Sequence, residues 1–163
     1  MIVLLMGPAG SGKTTVGKLL AASLSWEFAD GDDFHSSANI EKMSRGVPLT
    51  DEDRIPWLQC IHETMLLWQA QRRNVVLACS ALKRNYREML GIHLNAKDVK
   101  LVYLRGTYAL LFERLHSRKG HYMTDRLLAS QLADLEQPAD ALTIDASLSP
   151  DEIVSEIRSN LGL

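Results

Sequence analysis

Residues 6–15 read MGPAGSGKTT, and this stretch decides the fold. Residues 7–14 match the pattern G-x-x-x-x-G-K-[S/T] at every fixed position, after an apolar run and before a helical pattern over about residues 15–23. Glycines allow successive N–H groups to point at one centre beside the N-terminus of a helix, where anions bind. In this strand–loop–helix context the pattern predicts a phosphate-binding loop for a nucleoside triphosphate, rather than a glycine-rich turn without a ligand.

The same motif assigns roles to individual residues. The Lys13 ammonium is expected to reach the β- and γ-phosphates as a catalytic group, and the Thr14 hydroxyl is expected to ligate Mg²⁺. Further nucleotide contacts are expected along the rest of the loop and just after it, at Gly7, Ala9, Gly10, Ser11, Gly12 and Thr15.

Composition and charge limit the classes of protein to consider. The 163 residues are 46% apolar, which suffices for one hydrophobic core and predicts a single domain over residues 1–163. A net charge of −2 gives no electrostatic reason to expect a nucleic acid or a membrane as partner. No apolar stretch is long enough for a membrane span, so we expect a soluble, cytoplasmic protein. Cys60 and Cys79 lie in apolar surroundings and are predicted to be buried free thiols.

Apolar, β-branched runs alternate with helical patterns along the chain. The runs cover residues 2–6, 26–30, 75–80, 99–105 and 142–145. Such alternation is typical of a parallel sheet with helices on both faces. It predicts an α/β fold of the P-loop NTPase type, with three layers, α/β/α, around a five-stranded parallel sheet.

Two helices have the clearest signals. The longest pattern runs from about residue 52 to residue 72, with a predicted apolar stripe at Ile55, Leu58, Ile61, Met65 and Trp68. The last helix is predicted to begin with a capping box at Ser149 and to carry Pro150 at its first position. Its buried face is predicted to consist of Ile153, Val154, Ile157 and Leu161.

A phosphate-binding loop alone does not distinguish a kinase from a GTPase switch or a motor. A GTPase senses the γ-phosphate with a D-x-x-G sequence, and no glycine of this chain follows an aspartate at that spacing. The stretch NAKD at residues 95–98 differs in order from the guanine-reading N-K-x-D and is interpreted as a solvated loop. A large motor is incompatible with 163 residues. A small-molecule kinase and a nucleotide-binding regulatory module without turnover remain open.

Acidic residues follow the second predicted strand, at Asp30, Asp32 and Asp33. Because the carboxyl ends of parallel strands share one edge, we expect these acids to face the phosphate loop. The third predicted strand ends without an acid, which makes Asp30 the candidate Mg²⁺ ligand. Asp32 is the candidate catalytic group that accepts a hydrogen bond from a substrate hydroxyl. A turn with solvated acids is the alternative.

A dense set of further motifs extends along the chain. These motifs are DDFH (residues 32–35), NIEKM (39–43), GVPLTDEDRIPWL (46–58), ACSALKR (78–84), YR (86–87), RKGHYM (118–123), SQ (130–131) and LE (135–136). Together with the phosphate loop they closely resemble the gluconokinase family, the sugar-acid kinases of the shikimate-kinase-like P-loop group. The block at residues 32–58 is the most specific part of this resemblance, whereas the phosphate loop is shared by many families.

The resemblance implies ATP- and Mg²⁺-dependent phosphorylation of D-gluconate at its 6-hydroxyl, in a nucleoside-monophosphate-kinase-like fold, and it suggests a homodimer. It further implies an acceptor-binding helical segment at about residues 34–72 and a lid at about residues 118–126. Arg118 is the expected catalytic cation on the transferring phosphoryl group, and Arg114 and Arg118 are expected to bind ATP. A polyol acid needs cations and hydrogen-bonding groups, and the residues expected to bind it are Asp32, His35, Arg54, Lys83, Arg87, His121 and Gln131.

A related kinase acting on another hydroxy acid, such as shikimate, is the alternative within the same group. Shikimate kinases usually carry a Gly-Gly pair where this chain has Cys79-Ser80-Ala81, which favours gluconate. A regulatory module without turnover would have a degraded acceptor site, yet Asp32 and Arg54 are both present. Which of Lys83, Arg84 and Arg87 contacts the substrate stays open.

Overall fold

The computed structural model describes residues 1–92, 98–117 and 125–163. Most of the predicted lid, including Arg118 and His121, and residues 95–97 of the NAKD stretch lie outside the described residues. Within the described ranges, no helix combines the length and the apolar character needed to cross a bilayer.

A five-stranded sheet forms the centre of the described part of the chain. Its strands are β1 (Ile2–Met6), β2 (Glu27–Asp30), β3 (Val75–Ala78), β4 (Val99–Arg105) and β5 (Leu142–Asp145). They lie in the order β2-β3-β1-β4-β5, and every neighbouring pair is parallel. The predicted α/β class and parallel sheet are therefore confirmed. β2 begins one residue later than its apolar run predicts, and β3 ends two residues earlier because residues 79 and 80 belong to the loop that follows it.

Helices connect the strands on both sides of the sheet. They are α1 (Lys13–Leu24), α2 (Ser37–Ser44), α3 (Asp51–Ala70), α4 (Arg84–Met89), α5 (Tyr108–Ser117), α6 (Asp125–Asp134) and α7 (Pro150–Leu161), with a turn of 3-10 helix at Gly31–Phe34. α3 begins with a capping box between Thr50 and Asp53. α7 begins with another between Ser149 and Glu152, and Pro150 is its first residue, as predicted.

The side chains of β1 show how the three layers are built. Ile2, Leu4 and Met6 contact a core cluster that contains the buried face of α3, whereas Val3 and Leu5 contact a second cluster with α1 and α7. Because successive side chains of a strand point to opposite faces, this one buried strand contributes to both clusters. The predicted apolar face of α7 belongs to the second cluster, with Leu161 at its edge: Ile153, Val154, Ile157 and Leu161.

The apolar stripe of α3 differs from the predicted one at its first position. The stripe from Leu58 to Trp68 is buried as predicted, but Ile55 is 39% exposed. One helical turn of four residues before Leu58 lies Arg54, and the Arg54 side chain is only 13% exposed. The inward-facing position of the first turn therefore carries a cation. The prediction at Ile55 is wrong because it considered apolar residues alone.

The two cysteines differ in burial. Cys79 follows β3 and is a buried free thiol, as predicted. Cys60 is also free, but it is exposed, so the prediction that it is buried is wrong. Cys60 follows Leu58 by two residues, and that spacing turns its side chain to the opposite, solvent-facing side of α3.

Leu58→Ala should lower the free energy of unfolding by about 2–5 kcal/mol, because it leaves a cavity between α3 and the sheet. Leu67→Ala on the same helix is the matched control, since Leu67 is 60% exposed. The control should change stability by no more than about 0.5 kcal/mol. Urea denaturation followed by circular dichroism measures both variants. Equal losses of stability would contradict this assignment of the two faces of α3.

Candidate active site

One cavity opens at the carboxyl ends of β1, β2 and β3. Its volume is about 500 Å³, and its walls come from the phosphate loop, from the ends of β2 and β3, and from α2, α3 and α6. The strand register pairs Leu5 with Ala78 and Ala78 with Asp30, so the three strands end at nearly the same level. Ligands of open parallel sheets bind outside such strand ends, and the cavity is therefore the candidate active site.

The phosphate loop forms one wall of this cavity. The predicted nucleotide contacts that line the wall are Ala9, Gly10, Gly12, Lys13 and Thr14. Gly12 is the N-cap of α1 with a φ of 95°, so no side chain caps the helix, and its first turn contains no acid. Lys13 Nζ donates to the carbonyl oxygens of Gly7 and Pro8, each at 2.9 Å. A cationic loop before an uncapped helix fits an anionic phosphate group.

Three of the nucleotide contacts predicted in the phosphate loop and just after it, Gly7, Ser11 and Thr15, lie outside the cavity wall. A Cβ atom at Gly7 would lie 2.8 Å from the Leu104 carbonyl oxygen, and φ is 148°, so the position requires glycine. Ser11 is fully buried, and its N–H donates to the Pro8 carbonyl oxygen at 3.2 Å. Gly7 and Ser11 therefore shape the loop, and a direct contact of these three residues with nucleotide stays a prediction.

Thr14 and Asp30 meet at the edge of the cavity. Thr14 Oγ1 donates to Asp30 Oδ2 at 2.9 Å, and Asp30 is the last residue of β2. Hydroxyl and carboxylate oxygens are the ligands that Mg²⁺ prefers, and this ion is usually held by one or two carboxylates together with substrate phosphates. In the described part of the chain, no group of three or more His, Cys, Asp or Glu side chains could hold a metal by itself. The pair therefore fits a Mg²⁺ ion that takes some of its ligands from the protein and the others from the phosphates of a nucleotide.

Asp32 lies near the same pair, beside the buried Cys79. The Asp32 N–H donates to Asp30 Oδ1 at 3.1 Å, and both acids line the cavity. Burial raises the pKa of the Cys79 thiol to about 12, and the charges of Asp32 and Asp30 add to this rise while Lys13 opposes it. One thiol thus experiences all three charges. Lys13 and Cys79 line the same cavity as the two acids, so the acids and the ammonium of the phosphate loop lie together near the end of β3.

The acceptor end of the cavity is the part lined by His35, Arg54, Trp57 and Tyr86. His35 stacks on Trp57, with ring centroids 4.3 Å apart and an angle of 15° between the planes. The Nδ2 atom of the buried Asn39 lies 3.4 Å from Nδ1 of His35. Burial, and next the charge of Arg54, lower the pKa of His35 to about 4. His35 is therefore neutral at neutral pH and offers hydrogen bonds rather than a positive charge.

Arg54 supplies the positive charge at the acceptor end. Its NH1 atom donates to the Tyr86 hydroxyl at 2.7 Å and to Asp134 Oδ2 at 2.8 Å. Burial alone would lower the pKa of this guanidinium, but the hydrogen bonds to Asp134 and Tyr86 outweigh that effect and the pKa is raised. Arg54 is thus a fixed cation in the cavity wall, which fits its predicted contact with an anionic polyol.

Lys83 lies beside this cluster but outside the cavity wall. Its Nζ atom donates to Asp51 Oδ1 at 2.9 Å and lies 3.4 Å from Asp134 Oδ1. The hydrogen bond to Asp51 raises the pKa of Lys83. Lys83 therefore neutralises the acids that surround Arg54, and its direct contact with a substrate stays a prediction.

Arg87 does not reach the cavity. Its residue is 3% exposed, and NH1 donates to the carbonyl oxygens of Ala81 at 3.0 Å and Leu82 at 2.8 Å. Ala81 has a φ of 44°, a conformation that non-glycine residues rarely adopt. Buried carbonyl groups need donors, and Arg87 supplies them to this strained loop. In this structure Arg87 therefore supports the loop, and its direct contact with a substrate stays a prediction.

Two further predicted residues lie against the phosphate loop. Gln131, on α6, accepts a hydrogen bond from the Ala9 N–H of the phosphate loop at 2.7 Å, and its contact with a substrate stays a prediction. Arg114, on α5, places NH1 3.9 Å from the position that a Cβ atom at Gly12 would occupy. Apolar side chains of both helices form a small cluster that packs against Ala9. Arg114 is therefore close to the N-terminus of α1, as a nucleotide contact requires.

Sequence reasoning missed three residues that organise the site. Tyr86 and Asn39 both lie inside motifs of the family resemblance, and that density of matched residues is the signal that could have found them. Asp134 has no local signal, because its partner Arg54 is 80 positions away in the chain. The predicted roles of Arg118 and His121 fall outside the described residues.

Comparisons with known proteins agree with this geometry. The sequence profile of the family described as "Shikimate kinase" matches residues 9–162. A probable gluconokinase from Xenopus tropicalis is 44% identical, with 99% of this chain and 93% of that protein covered. A gluconokinase from Gluconobacter oxydans (strain 621H) is 43% identical, with 95% and 88% covered. A solved structure of a gluconokinase from Sinorhizobium meliloti 1021 has a TM-score of 0.86 and 41% identity, and covers 98% of this chain and 90% of its own.

These similarities extend over almost the whole chain and include both the phosphate loop and the acceptor end of the cavity. They agree with the resemblance that the motifs at residues 32–58 indicate. The chain belongs to the shikimate kinase family and, within it, to the gluconokinases.

Proposed function

We propose that the protein transfers the γ-phosphoryl group of ATP to the 6-hydroxyl of D-gluconate, which yields 6-phospho-D-gluconate and ADP. The observation that carries the proposal is the similarity to gluconokinases along almost the entire chain. The cavity supports it, since a phosphate loop, two acids and a fixed guanidinium line the same space of about 500 Å³. That volume lies in the usual range for small-molecule sites.

Phosphoryl transfer asks a protein mainly for positioning and for stabilisation of charge. Asp32 would orient the 6-hydroxyl and take its proton late, as the new oxygen–phosphorus bond forms and the bond to the leaving ADP oxygen breaks. Lys13 would stabilise the charge on the β- and γ-phosphates. His35 is neutral and would exchange hydrogen bonds with hydroxyl groups of gluconate, while Arg54 would bind its carboxylate or a hydroxyl group.

The Mg²⁺ would be held by Thr14 directly and by Asp30 through water. When bound, the ion neutralises charge on the phosphate oxygens. The chain would contribute the Thr14 hydroxyl and the Asp30 carboxylate, whose oxygens lie 2.9 Å apart, and phosphate oxygens of the nucleotide would supply further ligands.

Further parts of the proposal rest on the sequence alone. Arg118 is proposed as the cation on the transferring phosphoryl group, and His121 as an acceptor contact, both from the motif at residues 118–123. The resemblance to the family suggests a homodimer, and the shortness of the apolar stretches in the sequence suggests a cytoplasmic protein.

Shikimate is a second candidate acceptor, because the matching family profile is described as that of shikimate kinase. A coupled assay of ADP release with D-gluconate, shikimate and a panel of other sugar acids separates the two. We expect release to depend on gluconate and the product to be 6-phosphogluconate by mass spectrometry and chromatography. Preferential turnover of shikimate would contradict the proposal, and release without any acceptor would indicate hydrolysis of ATP instead.

Lys13→Ala should abolish gluconate-dependent ADP release, because it removes the ammonium assigned to the phosphates, together with its hydrogen bonds to the Gly7 and Pro8 carbonyl oxygens. Lys18→Ala is the matched control, since Lys18 is an exposed lysine further along α1. Circular dichroism establishes that both variants are folded. Near-normal turnover by a folded Lys13→Ala variant would exclude the role of this lysine.

We expect different effects from two substitutions at the neighbouring acids, Asp32→Asn on turnover and Asp30→Asn on the Mg²⁺ requirement. Asp32→Asn should lower kcat by about 10²-fold or more, because it removes the carboxylate assigned to the hydroxyl proton. Asp30→Asn should instead raise the Mg²⁺ concentration needed for half-maximal rate by about 10-fold. Asp33→Asn is the control, since Asp33 is exposed and lies outside the cavity wall. Initial rates measured as a function of Mg²⁺ concentration test all three variants. If Asp32→Asn changed the Mg²⁺ requirement and Asp30→Asn lowered kcat instead, the two assignments would be exchanged.

A further inference from the structure

Tyr86 lies at the boundary between the protein core and the acceptor end of the cavity. The residue is 3% exposed, and its ring belongs to the core cluster beneath α3. It also contributes to the cavity wall beside Arg54. Because the phenol carries a single polar atom, every hydrogen bond of the Tyr86 side chain at this boundary involves its hydroxyl group.

The two partners of this hydroxyl fix the direction of its hydrogen bonds. Arg54 NH1 donates to the oxygen at 2.7 Å, and the hydroxyl donates to Asp51 Oδ1. A guanidinium can only donate and an ionised carboxylate can only accept, so the phenol proton must lie toward Asp51. Burial, and next the hydrogen bond to Asp51, raise the pKa of Tyr86, which keeps this proton in place at neutral pH.

Arg54 is held by the protein through one of its nitrogen atoms. The hydrogen bonds to Tyr86 and Asp134 both come from NH1. Within residues 1–92, 98–117 and 125–163, no group accepts a hydrogen bond from Nε or NH2 of Arg54. Since Arg54 lines the cavity, its remaining donors are the ones that an anionic ligand can use.

In a guanidinium group, a contact that fixes one nitrogen atom also restricts the orientation of the other two. The group is planar and its donors form a rigid fork, so fixing NH1 in two directions limits rotation of the whole plane. The Tyr86 ring adds a second restraint, because the guanidinium carbon lies 5.5 Å from the ring centroid. Without the hydroxyl, Asp134 would be the remaining hydrogen-bond partner of NH1, with Asp51 Oδ1 as a longer ion-pair partner at 3.9 Å, so the plane could turn more freely.

We propose that Tyr86 is a positioning residue for the acceptor: its hydroxyl holds NH1 of Arg54 so that Nε and NH2 are directed at oxygen atoms of the sugar acid. This inference rests on the proposed function, since it needs an anionic polyol as acceptor. Tyr86 acts through Arg54 and touches neither the nucleotide nor the transferring group. Its contribution therefore lies in acceptor affinity, whereas ATP affinity and the chemical step depend on other residues.

Tyr86→Phe tests the proposal, because it keeps the ring in the core and removes only the hydroxyl. We expect the KM for gluconate to rise by about 5- to 30-fold, while the KM for ATP stays nearly unchanged. Arg54→Ala should lower kcat/KM for gluconate by about 30- to 150-fold. Adding Tyr86→Phe to Arg54→Ala should cost less than about twofold more, since the hydroxyl then has no guanidinium to hold.

Tyr103→Phe is the matched control, because Tyr103 is a buried tyrosine of the same core cluster and lies outside the cavity wall. It should leave both KM values unchanged even where thermal stability falls. An unchanged gluconate KM in Tyr86→Phe, or the same loss with and without Arg54, would overturn the positioning role. Wild-type turnover of gluconate is measured in the same series, and its absence rejects the proposed function. The Tyr86→Phe and Arg54→Ala variants and their combination are then measured with whichever acceptor of the sugar-acid panel is turned over. Additive losses of kcat/KM in that series would still overturn the role of Tyr86.

Discussion

The register of β3 between β1 and β2 is the constraint on which the site depends. Ala78 pairs with Leu5 on one side and with Asp30 on the other, so three chain segments leave the sheet at one edge. The phosphate loop follows the first strand, the acids accompany the second, and Cys79 begins the segment after the third. A shift of β2 by one residue would turn its alternate side chains to the other face, and Asp30 could no longer meet Thr14. The buried, apolar faces of the strands fix this register, since both core clusters depend on it.

The sequence predicts those parts of the molecule that are specified locally. The phosphate loop follows from glycines and a lysine at adjacent positions, and the start of α7 follows from Ser149 and Pro150. β1, β3 and most of β4 were predictable because a strand buried on both faces is a nearly continuous apolar run, whereas β2 and β5 are only partly buried. Their order in the sheet could not be predicted in this way, because it depends on contacts between distant segments.

The sequence is less informative about the partners of charged side chains. Arg54 was predicted to meet an acceptor, but its burial in the stripe of α3 depends on Asp134, which is 80 positions away. Arg87 has the same charge and lies one turn after Lys83, yet it turns inward to the carbonyl groups of Ala81 and Leu82. By residue type and by spacing in the sequence, Arg54 and Arg87 were equally good candidates for contact with the acceptor. The difference arises from which buried groups need a donor, and only the folded chain determines that.

The contrast between the two cysteines has a consequence for the covalent chemistry of the protein. Thiolates, not thiols, react with alkylating agents and peroxide, so reactivity follows the pKa and the exposure of the sulfur. Cys79 is buried next to the phosphate loop with a pKa of about 12, which leaves it protonated and shielded in the folded state. Cys60 is exposed on α3. We therefore expect electrophiles and oxidants to modify the folded chain first at Cys60, on the outer face of a helix, and to leave the sulfur beside the phosphate loop intact.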